Sequence, residues 1–210
     1  MKVGGSTKYA FLALIPKDKG SSSFERFRLV SLCNIGYKVI TKVIENLLRV
    51  ILPKLIPENQ GGFVKGRQMV DNIILVQEVV QSSLQRKEKG MVITLDVTNA
   101  FDRVRHSFLL KVMQRFNFDE KIIGWIKACI EGPWIAPLVN KRTSNLFKHT
   151  RGLRKGFPLS PFLFGLQASA MSLKLRKRHQ DQDLIGLHLA RGVPEINYAQ
   201  FADDTLLLGH

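Results

Sequence analysis

Three aspartates stand at positions where metal-dependent chemistry could arise. Asp96 directly follows an apolar, β-branched run that starts at Met91, and Asp203 and Asp204 separate two further strand-like runs. If a sheet brings these carboxylates together, they repel one another and must either take up protons or bind a divalent cation. Oxygen ligands favour Mg²⁺ or Mn²⁺, and two such ions can stabilise both the attacking and the leaving oxygen of phosphoryl transfer.

The acidic pair also has a simpler interpretation. Aspartate is common in β-turns because its side chain accepts hydrogen bonds from the neighbouring backbone. The pair alone is therefore compatible with an intracellular interaction protein whose acidic turn has no catalytic role. The surrounding sequence has to decide between the two interpretations.

Apolar periodicity predicts the elements that must position these acids. Side chains at three- and four-residue intervals predict helices over residues 35–51, 70–84, 109–116, 122–130 and about 161–178. Pro53 should stop the first of them. Strand-like runs cover residues 9–16, 26–31, 91–95, 134–140, 145–150, 184–189, 196–201 and 205–208.

Three hairpins are expected among these strands. The pairs are 9–16 with 26–31, around a loop at 17–24, then 134–140 with 145–150, and 196–201 with 205–208. The last hairpin would carry Asp203 and Asp204 in its turn. The run at 91–95 is expected to be a buried strand with Asp96 at its end.

Composition indicates a polyanionic partner. The chain has 210 residues, 45% of them hydrophobic, and a formal net charge of +15. This length can form one core or two small lobes, and the charge makes nucleic acid the leading candidate partner. Cys33 and Cys129 occur without a CxxC pattern or clustered histidines, which argues against a disulfide framework and against a zinc site.

The sequence has no pattern typical of membrane or secreted proteins. No uncharged apolar stretch is long enough to span a bilayer, and residues 1–20 lack the apolar centre and cleavage site of a signal peptide. We therefore expect an intracellular protein, in the nucleus or the cytoplasm, with no membrane partner.

Eight blocks of sequence, in a fixed order, resemble those of one known family. They are FLALIPK at 11–17, FRLVSL at 27–32, YKVITKVI at 37–44, ENQGGFVKGR at 58–67, DNI at 71–73, LDVTNAFDRVRHSFL at 95–109, RGLRKGFPLSP at 151–161 and FADDTLL at 201–207. In these blocks the chain resembles the reverse transcriptases of non-LTR, LINE-type retrotransposons, and it looks closest to their plant branch. The resemblance implies RNA-directed DNA polymerase activity, with an RNA template, a DNA primer and dNTPs as partners.

The same resemblance implies a fold and a division of the chain. The fold would be α+β, made of the fingers and palm of a reverse transcriptase, with an antiparallel palm sheet that has helices packed on one face. Residues 1–90 would form a fingers-like region and residues 91–210 a partial palm, together one truncated domain. Because the sequence stops soon after the acidic pair, we expect the thumb to be absent and the palm to expose apolar surface at one edge. The oligomeric state is left open.

The catalytic residues are carried over position by position. Asp96 matches the first metal-binding aspartate of the family, and Asp203 and Asp204 match the pair that completes a site for two Mg²⁺ or Mn²⁺ ions. Asp203 would ligate both ions, and Asp204 would be the weaker ligand. Phe101 matches an aromatic residue beneath the incoming sugar, where its ring would exclude a 2′-hydroxyl and so select dNTP over rNTP. The alternative for Phe101 is an ordinary core aromatic.

Basic and glycine residues in the blocks are expected to hold the substrates. Arginine suits phosphate because its planar guanidinium binds two oxygens at once. The positions that match nucleotide-binding residues, in addition to Phe101, are Lys17, Arg28, Lys155 and Gly156. The positions that we assign to template and primer are Arg67, Gly152, Arg154 and Pro158.

Several positions depart from the family pattern. Lys155 replaces the usual glutamine beside the nucleotide, Phe157 the usual aspartate, and Asn99 the usual lysine near the first aspartate. These departures and the early stop favour a second hypothesis, a truncated or domesticated derivative that binds nucleic acid without polymerising. Retention of all three aspartates favours the polymerase.

Overall fold

The computed structural model describes residues 9–20, 23, 26–190 and 192–209. The elements within these ranges, in chain order, are β1 (Tyr9–Pro16), β2 (Phe27–Cys33), α1 (Ile35–Leu55), α2 (Met69–Gln85), β3 (Met91–Leu95), α3 (Ala100–Arg103), α4 (His106–Arg115), α5 (Glu120–Glu131), β4 (Trp134–Val139), β5 (Arg142–Thr143), α6 (Ser160–Gln180), β6 (Tyr198–Phe201) and β7 (Asp204–Gly209). The predicted α+β class is confirmed.

The chain forms two compact units, each discontinuous in sequence. Unit 1 comprises the described residues of Met1–Leu48 and Phe101–Leu163, and unit 2 those of Arg49–Ala100 and Phe164–His210. These boundaries differ from the division at residue 90 that the sequence blocks suggested. That division refers to fingers and palm, and it stays a prediction.

A four-stranded sheet in the order β2-β1-β4-β5 organises unit 1. β1 and β2 pair antiparallel, with Pro16 opposite Phe27, which confirms the first predicted hairpin. The predicted loop at 17–24 lies partly outside the described residues. β4 runs parallel to β1, with Tyr9 opposite Trp134.

The second predicted hairpin is correct in its first strand and wrong in its second. β4 turns back at once into the short strand β5, because Asn140 and Lys141 both have positive φ, at 50° and 63°, and form a tight two-residue turn. Of the predicted strand at 145–150, only Phe147 pairs with β4, through an isolated bridge to Ile135.

Helices α4 and α5 of unit 1 occur where the periodicity predicted them. Their buried faces include Leu109 and Met113 from α4 and Ile126 from α5, none of them measurably exposed. Asp119 caps the start of α5, since its carboxylate accepts a hydrogen bond of 2.8 Å from the backbone N–H of Lys121. The apolar spacing of both helices and the cap of α5 therefore support the predicted positions of α4 and α5.

The three-stranded sheet of unit 2 has the order β3-β7-β6 and is antiparallel throughout. β6 and β7 form the third predicted hairpin. Its turn is Ala202 and Asp203, since Phe201 pairs with Asp204. Asp204 is therefore the first residue of β7, one position beyond the predicted turn.

Three further expectations for unit 2 are wrong. β3 is not buried: it is an edge strand, paired on one side with β7, and 54% of Met91 and 44% of Val92 are exposed. Residues 184–189 form no strand, and Leu187 makes one isolated bridge to Ile196 while it packs in the core. Pro53 does not stop α1 at once, since the helix continues for two residues to Leu55 before it ends. The proline still removes one intrahelical hydrogen bond, which weakens this end of the helix.

None of the helices in the described ranges combines the length and the apolar character needed to cross a membrane.

A pair of histidines packs inside unit 1. The rings of His106 and His149 meet edge to face, with centroids 5.0 Å apart. A ring nitrogen of His106 is 2.9 Å from the carbonyl oxygen of Gly152, whereas neither ring nitrogen of His149 has a hydrogen-bond partner among the described residues. Burial, then the positive charge of Arg154 and then His106 lower the pKa of His149 from 6.5 to about 4.

This lowered pKa predicts acid destabilisation. Above pH 6.5 His149 is neutral in both the folded and the unfolded chain. As the pH falls from 6.5 towards 4, the unfolded chain binds a proton at this residue and the folded chain does not. The free energy of unfolding therefore decreases. We expect the His149→Phe variant to lose roughly 1 kcal/mol less stability than the parent between about pH 7 and pH 4.5, measured by urea unfolding, because solvent screens part of the interaction of this half-buried ring. Equal losses in the two proteins would contradict the assignment.

Candidate active site

The register of unit 2 brings Asp96 to the acidic hairpin. β3 and β7 pair antiparallel as far as Leu95 opposite Thr205. One further step along both chains places Asp96 opposite Asp204, and residues opposite each other in such a pair have Cβ atoms about 4.5–5.5 Å apart. Asp203 lies next to Asp204 in the turn. The convergence expected for these three positions is therefore produced by one strand pair and its neighbouring turn.

The charges of the three side chains interact. Partial desolvation, then the carboxylate of Asp203 and then that of Asp96, raise the pKa of Asp204 above its usual value. Asp96 and Asp204 are exposed and Asp203 is half-buried. A negative cluster at an accessible sheet end attracts cations, and a cation there would offset the repulsion.

The acids do not by themselves form a closed metal cage. In the part of the chain that the structure describes, no group of three or more histidine, cysteine, aspartate and glutamate side chains is arranged to hold a metal ion. The arrangement is thus an open, accessible set of oxygen donors. Any ion bound here would need further ligands from solvent or substrate.

The loop over residues 59–62 holds the hairpin turn. The side-chain oxygen of Gln60 accepts hydrogen bonds from the backbone N–H groups of Gly62, at 2.9 Å, and of Ala202, at 3.0 Å. Its amide nitrogen donates to the carbonyl oxygen of Ala202 at 3.3 Å. A Cβ atom on Gly62 would lie 2.8 Å from Cα of Ala202, so only glycine allows this approach. The sequence analysis did not indicate that this segment contacts the hairpin.

Arg67, which we assigned to template and primer, makes several hydrogen bonds within the fold. Its guanidinium donates to four backbone carbonyls, those of Pro53, Ile56, Pro57 and Gln60, at 2.6–3.2 Å. The first two belong to the end of α1 and the residue just beyond it, where carbonyls lack intrahelical partners. Arg67 therefore ties the end of α1 to the loop that holds the acidic hairpin.

Arg154, the second arginine assigned to template and primer, is also committed to the fold. Its side chain is 6% exposed in unit 1 and donates to the carbonyls of Cys129 and Ile130, in the last turn of α5. The guanidinium carbon lies 5.5 Å from the ring centre of Phe157 and 5.9 Å from that of Tyr37. Phe157, which replaces the usual aspartate, therefore supplies an aromatic face to a buried cation.

The positions assigned to nucleotide binding lie in unit 1. Arg28 is exposed on β2, opposite Ile15, and Lys17 follows β1, where its N–H donates to the carbonyl of Arg26 at 2.8 Å. The carbonyl of Phe101 accepts a hydrogen bond of 2.8 Å from the N–H of Leu153. The region around β1 and β2 and the segment that contains residues 151–158 are thus parts of one compact unit.

The turn at residues 151–158 is held against its neighbours. The N–H of Ser31 donates to the carbonyl of Lys155 at 3.0 Å, and Lys155 forms an ion pair of 3.0 Å with Asp102. A Cβ atom on Gly152, whose φ is +95°, would press on the backbone of Asp102. Lys155 is therefore engaged with Asp102, a partner that the sequence reasoning missed. Gly156 and Pro158 lie in the same turn, exposed and half-buried respectively.

Comparison with known proteins defines the class of protein. The profile of the family described as reverse transcriptase (RNA-dependent DNA polymerase) matches residues 15–210. The chain is 29% identical over 203 residues to the transposon TX1 149 kDa protein of Xenopus laevis, covering 97% of this chain and 15% of that protein. It is 26% identical over 196 residues to the Pol polyprotein of a type-1 R2 retrotransposable element of Popillia japonica, covering 93% and 26%.

A solved structure supports the same fold. The telomerase of Candida tropicalis, in complex with a fragment of telomeric RNA, superposes with a TM-score of 0.70 at 14% identity, covering 100% of this chain and 37% of that chain. The chain belongs to the reverse transcriptase family, and its relatives include non-LTR retrotransposon proteins, as the sequence blocks predicted. It spans only 15–26% of the length of those two relatives. The plant branch stays a prediction.

The two possible roles of Arg67 can be separated by a substitution that keeps its charge. In the Arg67→Lys variant an ammonium group cannot reach four carbonyls at once, so we expect the free energy of unfolding to fall by about 2 kcal/mol. We expect the salt dependence of nucleic-acid binding to stay unchanged, because its slope reports phosphate contacts. Urea unfolding and a salt series of binding measure the two effects. Unchanged stability with weaker binding would instead support the template assignment.

Proposed function

We propose that this chain is the fingers and palm part of an RNA-directed DNA polymerase. The observation that supports this proposal is the β3–β7 register, which pairs Leu95 with Thr205 directly beside Asp96 and Asp204, in a chain that belongs to the reverse transcriptase family. In the proposed reaction the 3′-hydroxyl of a primer attacks the α-phosphate of a dNTP, and pyrophosphate leaves. Base pairing with the template selects the dNTP.

The acidic site suits a divalent metal, which reverse transcriptases generally use. We propose that Asp96 and Asp203 are the principal ligands of two Mg²⁺ or Mn²⁺ ions, with Asp204 the weaker one. Bound there, the ions would lower the barrier by stabilising the attacking and leaving oxygens. The donors are oxygens, as these ions prefer, and the raised pKa of Asp204 supports a cluster that needs a cation. An open set of carboxylates leaves coordination positions for substrate phosphate and water.

Unit 1 would supply the nucleotide-binding side chains. Arg28 and Lys17 would bind the triphosphate from the β1–β2 hairpin, and Phe101 would lie beneath the sugar. Lys155 forms an ion pair with Asp102. To act beside the nucleotide, Lys155 would have to break this ion pair or contact the nucleotide while keeping it. Arg28 is exposed on strand β2, so its side chain can contact the phosphate groups of a nucleotide that arrives from solvent. This exposure supports the proposed role of Arg28 in triphosphate binding.

The polyanionic substrates agree with the charge of the chain. A formal charge of +15 favours a primer–template duplex through release of its counterions. RNA, DNA and dNTPs are found together inside the cell, where we propose that the protein acts.

A second candidate function is a nucleic-acid-binding module without polymerase activity. The specific observations that favour it are Lys155, paired with Asp102, and Phe157, buried against Arg154. Both replace residues that the family usually has beside the nucleotide. Binding of a primer–template without extension would support this function.

The polymerase proposal predicts loss of DNA synthesis when one acid is neutralised. We expect Asp203→Asn to reduce primer extension on an RNA template in Mg²⁺ by at least about a hundredfold, the scale seen when one group that stabilises the transition state is removed. Asp181→Asn, which neutralises an exposed aspartate elsewhere in unit 2, is the matched control and should leave extension unchanged. Extension that persists in the Asp203 variant would refute the catalytic assignment.

The sugar-selection role of Phe101 makes a separate prediction. Replacing its ring by a methyl group opens space for a 2′-hydroxyl, so Phe101→Ala should raise rNTP incorporation relative to dNTP by about tenfold or more. Single-nucleotide extension with each substrate measures the ratio. Phe108→Ala, at a site that is 46% exposed, is the control. An unchanged ratio in the Phe101 variant would leave Phe101 as a core aromatic.

A further inference from the structure

Gln60 is a fully buried polar side chain whose hydrogen bonds converge on one residue of the acidic hairpin. It has 0% exposure, and its amide meets both backbone polar groups of Ala202 as well as the N–H of Gly62. Ala202 directly precedes Asp203. The side chain of Gln60 therefore contacts the backbone that carries the central acid of the proposed site.

The turn depends on an outside support because Ala202 has an unfavourable conformation. Its φ is +57°, in the left-handed region that alanine rarely adopts. Alanine has no polar side chain with which to stabilise this backbone locally. Gln60 accepts from its N–H and donates to its carbonyl oxygen, so one amide group fixes the peptide groups on both sides of the residue.

Gln60 is itself held firmly. The N–H of Gly61 donates to the carbonyl of Gln200 at 2.8 Å, and the N–H of Gln200 donates to the carbonyl of Asn59 at the same distance. The loop thus pairs with β6 on the edge away from β7, and the amide of Gln60 has a fixed position from which to hold the turn.

Only a neutral amide fits these partners. Two N–H donors and one carbonyl acceptor surround the group, which matches the oxygen and the nitrogen of glutamine. An ionised carboxylate could not donate to the carbonyl, and an aliphatic side chain would leave all three groups unsatisfied. The closeness of Gly62 to Ala202 leaves no room for the turn to move towards the loop.

We propose that Gln60 is a positioning residue of the acidic site. By holding both backbone groups of Ala202, it fixes the direction in which Asp203 projects and thereby the affinity of the site for a divalent cation. This inference rests on the proposed function, because it requires the acids to bind a metal. Removing a partner that orients metal ligands typically weakens metal affinity by about 10- to 100-fold.

The test measures Mn²⁺ affinity of the whole chain, without nucleic acid or dNTP, by electron paramagnetic resonance. The variants are Gln60→Met, which removes the polar group, and Gln60→Asn, which keeps an amide but withdraws it by one methylene. Asn72→Ala is the matched control, since it removes an amide from the same cluster that does not touch Ala202. Circular dichroism fixes a temperature at which each compared variant is folded.

We expect both Gln60 variants to bind Mn²⁺ at least about tenfold more weakly than the parent. Asn72→Ala should keep the parental affinity even if its melting temperature falls. If Gln60→Met does not fold, Gln60→Asn decides. Equal affinity in a folded Gln60 variant, or an equal loss in Asn72→Ala, overturns the positioning role.

Asp203→Asn separates failure of this inference from failure of the proposed function. Mn²⁺ binding that is lost in Asp203→Asn but kept in the Gln60 variants refutes only the role of Gln60. Binding that is absent in the parent, or the same in Asp203→Asn, refutes the metal site and the inference with it.

Discussion

The convergence of three carboxylates at one end of a sheet is the constraint on which the proposed function depends. The antiparallel register of β3 and β7 brings Asp96 opposite Asp204, and the adjoining turn adds Asp203. Partial desolvation, then the carboxylate of Asp203 and then that of Asp96, raise the pKa of Asp204 above its usual value. In the proposed function, a divalent cation bound at this end of the sheet would offset the repulsion between the acids.

The surroundings of the acids show how the fold holds such a cluster in place. The hairpin turn has an unfavourable conformation at Ala202, and Gln60 and Gly62 press against it from the neighbouring loop. Arg67 holds that loop in turn through its bond of 2.8 Å to the carbonyl of Gln60. Much of the order around the site thus comes from hydrogen bonds to backbone groups rather than from apolar packing.

Arg67 and Arg154, half-buried and buried respectively, affect how the net charge should be interpreted. Arg67 and Arg154 both donate to carbonyls at helix ends, where the partial negative charge of the helix favours a cation. Their charges stabilise the fold, so the positive charge available to nucleic acid is smaller than the total of +15.

Local patterns predicted much of the fold. Helices with regular apolar spacing, such as α2 and α5, and the hairpin of β1 and β2 follow from periodicity. The predictions were wrong where contacts between distant segments determine the structure. The sequence of β3 is typical of a buried strand, but β3 lies at the edge of its sheet. Residues 184–189 are apolar because Leu187 packs in a core, and they do not form a strand.

The acidic residues of the site could be predicted from the sequence, but the residues that hold them in place could not. The aspartates follow apolar runs and lie in blocks that resemble those of a known family. Both features can be recognised in a single sequence. The bond between Gln60 and Ala202 joins residues 142 positions apart, and no spacing rule predicts it. Likewise, no sequence pattern indicates that Arg67 and Arg154 donate hydrogen bonds to backbone carbonyls.

The most direct measurement is an anomalous difference map from crystals of the chain soaked in Mn²⁺. This account predicts a peak in contact with the carboxylates of both Asp96 and Asp203. A well-ordered hairpin without a peak between those two side chains, or with Mn²⁺ bound only elsewhere, would contradict it.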